Sequence, residues 1–463
     1  MIATGTNNVP QHPLAGRSAR KIIALSVALA VSPAALALPL GESVVSGSVA
    51  VSRPDAQNMV VRQGSSKAIV NWQGFSIGGG ENVAFRQPGA SSVILNRVVG
   101  GSPSDILGRI TANGQVFLVN PNGVFFAPGA SADVGSLVAS TLNIADADFL
   151  AGRYRFAGSG TPGTVSNQGS LQAAQGGTVA LLGGQVSNDG TLTAQLGTVA
   201  LAAGNRVTLD FAGDGLTKLT VDEATVGAQV RNSGMIIADG GQAVLTAHAA
   251  QALADTVINQ QGLVRARSLT ARNGRIVLDG GEHGATLVSG SLDASGRESG
   301  QTGGTVSVMG YHVGLTEQAS IDASGSAGGG TVLIGGDYQG NNPAVRNAAA
   351  TYFSPQARIS ADALQTGNGG KVILWSDGPT RAYGTISARG GANGGNGGLV
   401  ETSGHWLDVA GARVSAAAPA GVAGSWLLDP GNITISHSTV PVSAIPGNGM
   451  FSTEGPPTED VSV

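Results

Sequence analysis

Four acidic residues, Asp210, Asp214, Asp222 and Glu223, fall close together in the chain. Carboxylates grouped this way can hold calcium through hard oxygen ligands, or divide into a proton donor and a partner across a glycosidic bond. Trp375, Trp406 and Trp426 offer flat faces on which sugar rings could stack. A β-helical enzyme acting on polysaccharide is therefore one function class to weigh. The plainer reading is a solvated hairpin turning at Asp214-Gly215, with the tryptophans plugging or flanking the fold. The six histidines, His12, His248, His283, His312, His405 and His437, show no His-x-x-x-His spacing, and cysteine is absent, so no zinc site is expected. Gly-x-x-x-x-Gly-Lys-Ser/Thr does not occur, which removes the usual phosphate cradle. The expectation is no enzyme, no catalytic residue, no metal and no cofactor.

The elements that would carry any site are short strands. Of 463 residues, 73 are Gly, 41% are hydrophobic and only 12% are charged. A disordered chain would carry more charge, and an α/β enzyme far less Gly. Glycine at this density does turn work, so the composition points to an all-β protein. The net charge is −4 and the Lys and Arg residues are scattered singly, so nucleic acid is not an expected partner.

Two units recur after residue 160. One is Val165-Ser-Asn167-Gln-Gly169-Ser-Leu171, echoed at Val186 to Leu192 and at Val230 to Ile236. The other begins with Gly177-Thr-Val179-Ala-Leu181 and Gly197-Thr-Val199-Ala-Leu201, and continues at Gly241, Gly274, Gly304, Gly330, Gly370 and Gly398. Short strands and Gly/Asn turns repeating about every 20 residues predict a parallel β-helix, in which each coil buries its apolar face only by stacking on the last. At about 4.8 Å per coil, roughly 20 coils would make a rod on the order of 100 Å long. Wider spacing in later copies is read as loops or hairpins projecting from the coils. A β-sandwich or barrel would also show short strands with turn signals, and a Gly/Ala linker would lack the regularly placed Val, Leu and Ile.

Arg17, Arg20 and Lys21 precede an apolar run from Ile22 to Val31, then Pro33 and Ala35-Leu36-Ala37. This pattern predicts a signal peptide over residues 1–37, with Ala35 and Ala37 forming the cleavage signal. No later segment is apolar enough over about 18 residues to span a bilayer as a helix, so the mature chain is not expected to be integral to the membrane. For an exported chain that must also cross a second membrane unfolded, having no cysteine avoids disulfide-locked loops.

The densest patterning lies between residues 69 and 142. It includes Val70-Asn-Trp72-Gln-Gly-Phe75, Val93-Ile-Leu95-Asn96-Arg97-Val98, Val116-Phe117-Leu118-Val119-Asn120-Pro121-Asn122-Gly123-Val124-Phe125-Phe126 and Ala139-Ser140-Thr141-Leu142. Asn120-Pro121-Asn122-Gly123 reads as a stiff corner between two strands, since Pro121 presets φ and Asn122 and Gly123 tolerate the remaining turn angles. Taken together, and with Leu209-Asp210-Phe211 to Leu216 and Val221-Asp222-Glu223, the run closely resembles the secretion domain of two-partner secretion exoproteins (TpsA), the family that includes filamentous haemagglutinin and the high-molecular-weight adhesins. Ala388 to Ala392, Gly398 to Gly404 and Trp426-Leu427-Leu428-Asp429-Pro430 look like the segment that follows this domain in large members. No Asn-Pro-Asn-Leu motif occurs, which places the chain nearer the adhesin or haem-acquisition subtype.

The resemblance implies a right-handed parallel β-helix with an N-terminal cap and extra-helical hairpins. It implies secretion to the surface of a Gram-negative bacterium by way of the periplasm, through an outer-membrane TpsB transporter whose POTRA domains bind the secretion domain. Asn120, Pro121, Asn122 and Gly123 match the family's secretion motif, and Asn96 and Arg97 its Asn-Arg-Val element, so these six are the candidate recognition residues. A host-cell surface or a haem carrier is the expected kind of ligand for the whole exoprotein. The expected organisation is a secretion domain over residues 38–290, a β-helix repeat extension over 291–436 and a poorly ordered tail over 437–463.

Overall fold

The computed structural model describes residues 38–430, apart from residues 159, 161–162, 212–215, 251–255 and 270–271. The expected signal peptide with Ala35 and Ala37, the expected tail, His12, His437 and Asp214 lie outside the described residues.

The chain winds as a three-faced parallel β-helix. One coil runs Gln185–Asn188, Thr191–Thr193 and Thr198–Ala203, and each strand lies parallel to its counterpart in the coils before and after. The faces differ in width. Longer strands, such as the six-residue Thr178–Gly183, form a wide face, and short ones, such as the three-residue Ser291–Asp293, form a narrow one. A third face includes Thr164–Asn167 and Gln185–Asn188.

Alternation of side chains along each strand puts one residue in two into the rod's interior. On the wide face Val179, Val199, Ala243, Ile276, Val306, Val332, Val372 and Val400 stack in one fully buried column. On the narrow face Leu171, Leu192, Ile236, Val264, Leu292, Ile321, Ile359 and Ile386 do the same. The corner before the wide face is a column of glycines. A Cβ on Gly330 would stand 2.1 Å from the Gly304 carbonyl oxygen, and one on Gly370 2.1 Å from that of Gly330. The recurring Gly-Thr-Val unit of the sequence is thus a corner glycine followed by an inward valine.

The Asn-x-Gly unit builds a second ladder. The Asn167 amide donates to Asn188 Oδ1 at 2.8 Å, Asn188 to Asn232 Oδ1 at 2.7 Å, and Asn232 to Gln260 Oε1 at 2.8 Å. All four side chains are fully buried. Apolar neighbours in register close the ladder at both ends, Phe126 beside Asn167 and Val288 beside Gln260.

Among the described residues the narrow face has fourteen strands, the first antiparallel and the other thirteen parallel. Thirteen stacked rungs span about 60 Å, shorter than the roughly 100 Å expected from the sequence. The difference is in the coil. Equivalent positions are 21 residues apart between Asn167 and Asn188, but 28 between Asn232 and Gln260 and 44 where the chain leaves the rod between Asn188 and Asn232.

Ser43–Ser46 pairs antiparallel with Lys67–Trp72, and Val49–Ser52 antiparallel with Asn58–Gln63, forming the expected cap at the N-terminal end. A four-stranded antiparallel sheet of Asn143–Ile144, Tyr154–Ala157, Arg206–Asp210 and Lys218–Glu223 stands outside the rod. It closes a second core over the outer side of the wide face, with Ile69, Leu95, Phe117, Val119, Val138, Ala180 and Leu182 below and Phe149, Phe156, Val207 and Leu209 above. Strands buried on both sides lose their polar alternation, which explains the dense apolar runs between residues 69 and 142.

Candidate functional site

Asn120 ends the strand Gln115–Val119 and is fully buried. Its Nδ2 donates to the Ser102 carbonyl and to Ser104 Oγ, each at 3.0 Å, and its Oδ1 accepts from the Asn122 backbone N–H at 3.0 Å. The Gly123 N–H donates to the Asn120 carbonyl at 3.1 Å, closing the turn. Gly123 sits at φ +129°, a backbone region that side chains avoid. Asn122 Nδ2 reaches the Gly100 carbonyl at 2.9 Å. Pro121 and Asn122 are exposed, whereas Gly123 is buried. The predicted corner is therefore present, and only its two tip residues face outward.

Asn96 and Arg97 point in opposite directions, as neighbours on a strand must. Asn96 is fully buried, accepts the indole N–H of Trp72 at 3.1 Å and donates to the Phe117 carbonyl at 3.3 Å. Arg97 lies outside, donates to Asn143 Oδ1 at 3.0 Å and to the Ile144 carbonyl at 2.6 Å, and pairs with Asp146 at 2.7 Å. It clips the start of the outer sheet onto the rod. Ser140 and Thr141 complete this junction: the Ser140 carbonyl accepts from the Asn120 N–H at 2.9 Å, and Thr141 Oγ1 donates to the Gly163 carbonyl at 3.0 Å. The structure thus gathers the turn and the exit of the outer sheet around neighbouring strands of the wide face, while Asn96 serves the interior. Sequence reasoning missed Asn143 and Asp146, whose only signal is that they follow the Ala-Ser-Thr-Leu segment.

Beneath the outer sheet, Phe117 packs against Phe149, Tyr154, Phe156 and Phe211, with ring centroids 5.2 to 6.3 Å apart. Burial there pushes the Tyr154 hydroxyl above the usual phenol range.

The other candidates of the sequence do not assemble into a reactive centre. Asp222 accepts from Thr208 Oγ1, Glu223 pairs with Arg206 at 3.0 Å, and Asp210 sits opposite Lys218, all on the outer hairpin. Trp375 packs against Gly336 and Gly340 of a projecting loop, and Trp426 donates its indole N–H to Thr402 Oγ1 at 3.0 Å. Trp406 stands edge-on to His405. Among the described residues no cluster of His, Asp and Glu is arranged to hold a metal, and no helix is long and apolar enough to cross a membrane.

Comparison with known proteins places this architecture. A family model described as the TPS secretion domain matches residues 36–308. The heme/hemopexin-binding protein of Haemophilus influenzae is 33% identical over 284 residues, which is 56% of this chain and 30% of that protein. Its counterpart from strain Rd is 44% identical over 107 residues, 23% of this chain and 12% of that protein. The chain thus covers less than a third of the length of these relatives. The crystal structure of the HMW1 secretion domain from Haemophilus influenzae superposes with a TM-score of 0.74 at 30% identity, covering 84% of this chain and 100% of that one. With its parallel β-helix, its antiparallel cap and a family match across more than half of its residues, the chain belongs to the TPS secretion domain family.

Proposed function

We propose that residues 38–290 direct export of this chain from the periplasm through an outer-membrane TpsB transporter, whose POTRA domains bind them. Residues 291–436 then begin the shaft of an adhesin or haem-acquisition exoprotein at the surface of a Gram-negative cell. The observation that carries the reading is the HMW1 secretion domain, matched over its whole length. The name of the heme/hemopexin-binding relatives favours haem acquisition over the host-cell surface as the ligand of the whole exoprotein. The relatives found are secretion domains and binding proteins, and the acidic residues of the outer hairpin are held by its own partners, so nothing favours the enzyme reading.

Folding supplies the drive in this proposal. Each coil that emerges docks on the one before it and buries apolar surface at about 25 cal/mol per Å², which opposes retreat into the pore. Within the secretion motif the residues divide the work. Asn120 and Gly123 shape the turn, Asn96 and Arg97 stabilise the strands and outer sheet that frame it, and Pro121 and Asn122 are what a transporter can touch.

The test separates shape from contact. Pro121→Ala and Asn122→Ala, made singly and together, should hold the chain in the periplasm while the purified protein unfolds at the wild-type urea concentration. Asn120→Ala should lower both export and stability. Undiminished release of the Pro121/Asn122 double variant refutes the assigned role of the tip.

A further inference from the structure

The narrow face changes character along the rod. Through its middle, carboxylates pair with arginines from nearby rungs and corners: Asp239 with Arg265 at 2.7 Å, Asp293 with Arg267 at 2.7 Å and Asp322 with Arg297 at 2.8 Å. The outward column that carries Asp293 and Asp322 turns to serine from Ser360 onward. The next three rungs, Arg358–Ser360, Thr385–Ser387 and Arg413–Ser415, turn Ile359, Ile386 and Val414 towards the core and leave two outward columns. One column reads Arg358, Thr385, Arg413, and the other Ser360, Ser387, Ser415. With Arg389 at the corner they line a groove of about 340 Å³.

The charge in this groove is unbalanced. Its one carboxylate, Asp362, is already engaged: Oδ1 accepts from Ser387 Oγ at 2.6 Å and from the Arg389 N–H at 2.7 Å, and Oδ2 pairs with the Arg389 guanidinium at 2.9 Å. Arg358 and Arg413 are exposed and make no ion pair among the described residues. Two guanidinium groups are left to serve a ligand from outside, flanked by four side-chain hydroxyls.

We infer that this groove binds a linear polysaccharide whose sugars carry carboxylates, laid along the rod axis. Arg358 and Arg413 are two rungs apart, so their backbones are separated by about 9.6 Å along the axis, close to the advance of two hexose rings in an extended chain. The guanidinium fork matches a planar carboxylate with two parallel hydrogen bonds. Thr385 between the arginines, and the serine column beside them, offer donors and acceptors to ring hydroxyls. A carboxylate borne directly on the ring keeps its charge near the chain axis, as a shallow groove requires. Asp362 is held by Arg389 and Ser387 and no second carboxylate lines the groove, so it has no carboxylate pair for hydrolysis and is assigned to binding.

The inference is tested by titrating the purified full chain calorimetrically with galacturonate oligomers of increasing length. Affinity should rise from the monomer to the tetramer. Arg358→Ala and Arg413→Ala should each weaken tetramer binding by about tenfold, and Arg109→Ala, an exposed arginine on the same face near the cap, should leave it unchanged. If the alanine variants fail to fold, the double lysine variant serves: it keeps the charge but loses the fork, and must bind more weakly than the wild type. Binding undiminished in the alanine variants or in the double lysine variant, absence of binding to the tetramer, or equal affinity for dextran sulfate or polyglutamate overturns the assignment. Release of any product sugar overturns the groove's assignment to binding alone.

Discussion

Replacing Asn188 by alanine tests whether the buried amide ladder holds the rungs of the secretion domain in register. Asn188 is the second of four stacked amides: it accepts from Asn167 at 2.8 Å and donates to Asn232 at 2.7 Å. A neutral buried hydrogen bond contributes about 1 kcal/mol net, and an acceptor left without a donor costs a further 1–3 kcal/mol or so. Asn188→Ala removes two inter-rung bonds and strands the Asn232 carbonyl oxygen in a dry interior, a loss of about 3–5 kcal/mol. Asn188→Leu refills the space but leaves the same oxygen stranded, so it should recover little. Removing Asn232 as well takes the stranded group away, and the double variant should lose less than the two single losses added together. Because rungs of a solenoid can open locally, amide exchange at Val186 and Val230 should accompany urea unfolding of the whole chain. A loss under about 1 kcal/mol for Asn188→Ala, strict additivity with Asn232→Ala, or a leucine variant more stable than wild type would refute the reasoning.

Three further outcomes follow from the geometry. Gly330→Ala sets a methyl 2.1 Å from the Gly304 carbonyl and should destabilise the rod by about 2 kcal/mol or more, whereas Gly79→Ala, with nothing within 4 Å of the new methyl, should melt like the wild type. Arg97→Ala frees the start of the outer sheet, so protease should cut between residues 143 and 162 at about tenfold lower dose while the rod's circular dichroism is kept. Burial raises the Glu401 carboxyl above its usual range, reinforced by Asp429 and Asp337 and opposed by the Gln339 N–H that it accepts. A raised acid contributes stability that is complete below its unfolded pKa and is lost as pH rises through the folded value. Glu401→Gln should therefore flatten the decline in stability from acid towards neutral pH and leave the acid-side stability unchanged, as urea titrations at several pH values would show.

What could be read in the chain beforehand was whatever repeats in register. Gly-Thr-Val and Asn-x-Gly were visible because each is a column in which one rung places the same residue over the last. The number of rungs was not legible, since narrow-face strands such as Leu263–Arg265 are only three residues long and lie below the length at which alternation is visible. The outer sheet was hidden for a different reason. Its strands at 143–157 and 206–223 belong to separate excursions from the rod, and nothing local says that Phe156 and Leu209 cover Phe117. The turn at Asn120 to Gly123 was legible as a turn, but the burial of Asn120 rests on Ser102 and Ser104, which carry no motif. The arginine groove of the last rungs is not legible because Arg358 and Arg413 are far apart in sequence and meet only through Thr385.

The antiparallel strands at the N-terminal end give the molecule a polarity that the stacked coils alone would lack. Lys67–Trp72 and Asn58–Gln63 each present one edge to a strand of opposite direction, so that end cannot accept another parallel turn, whether from the same chain or from a neighbour. Any further parallel turn must be added on the far side. The molecule is thus a seed with a single growing tip.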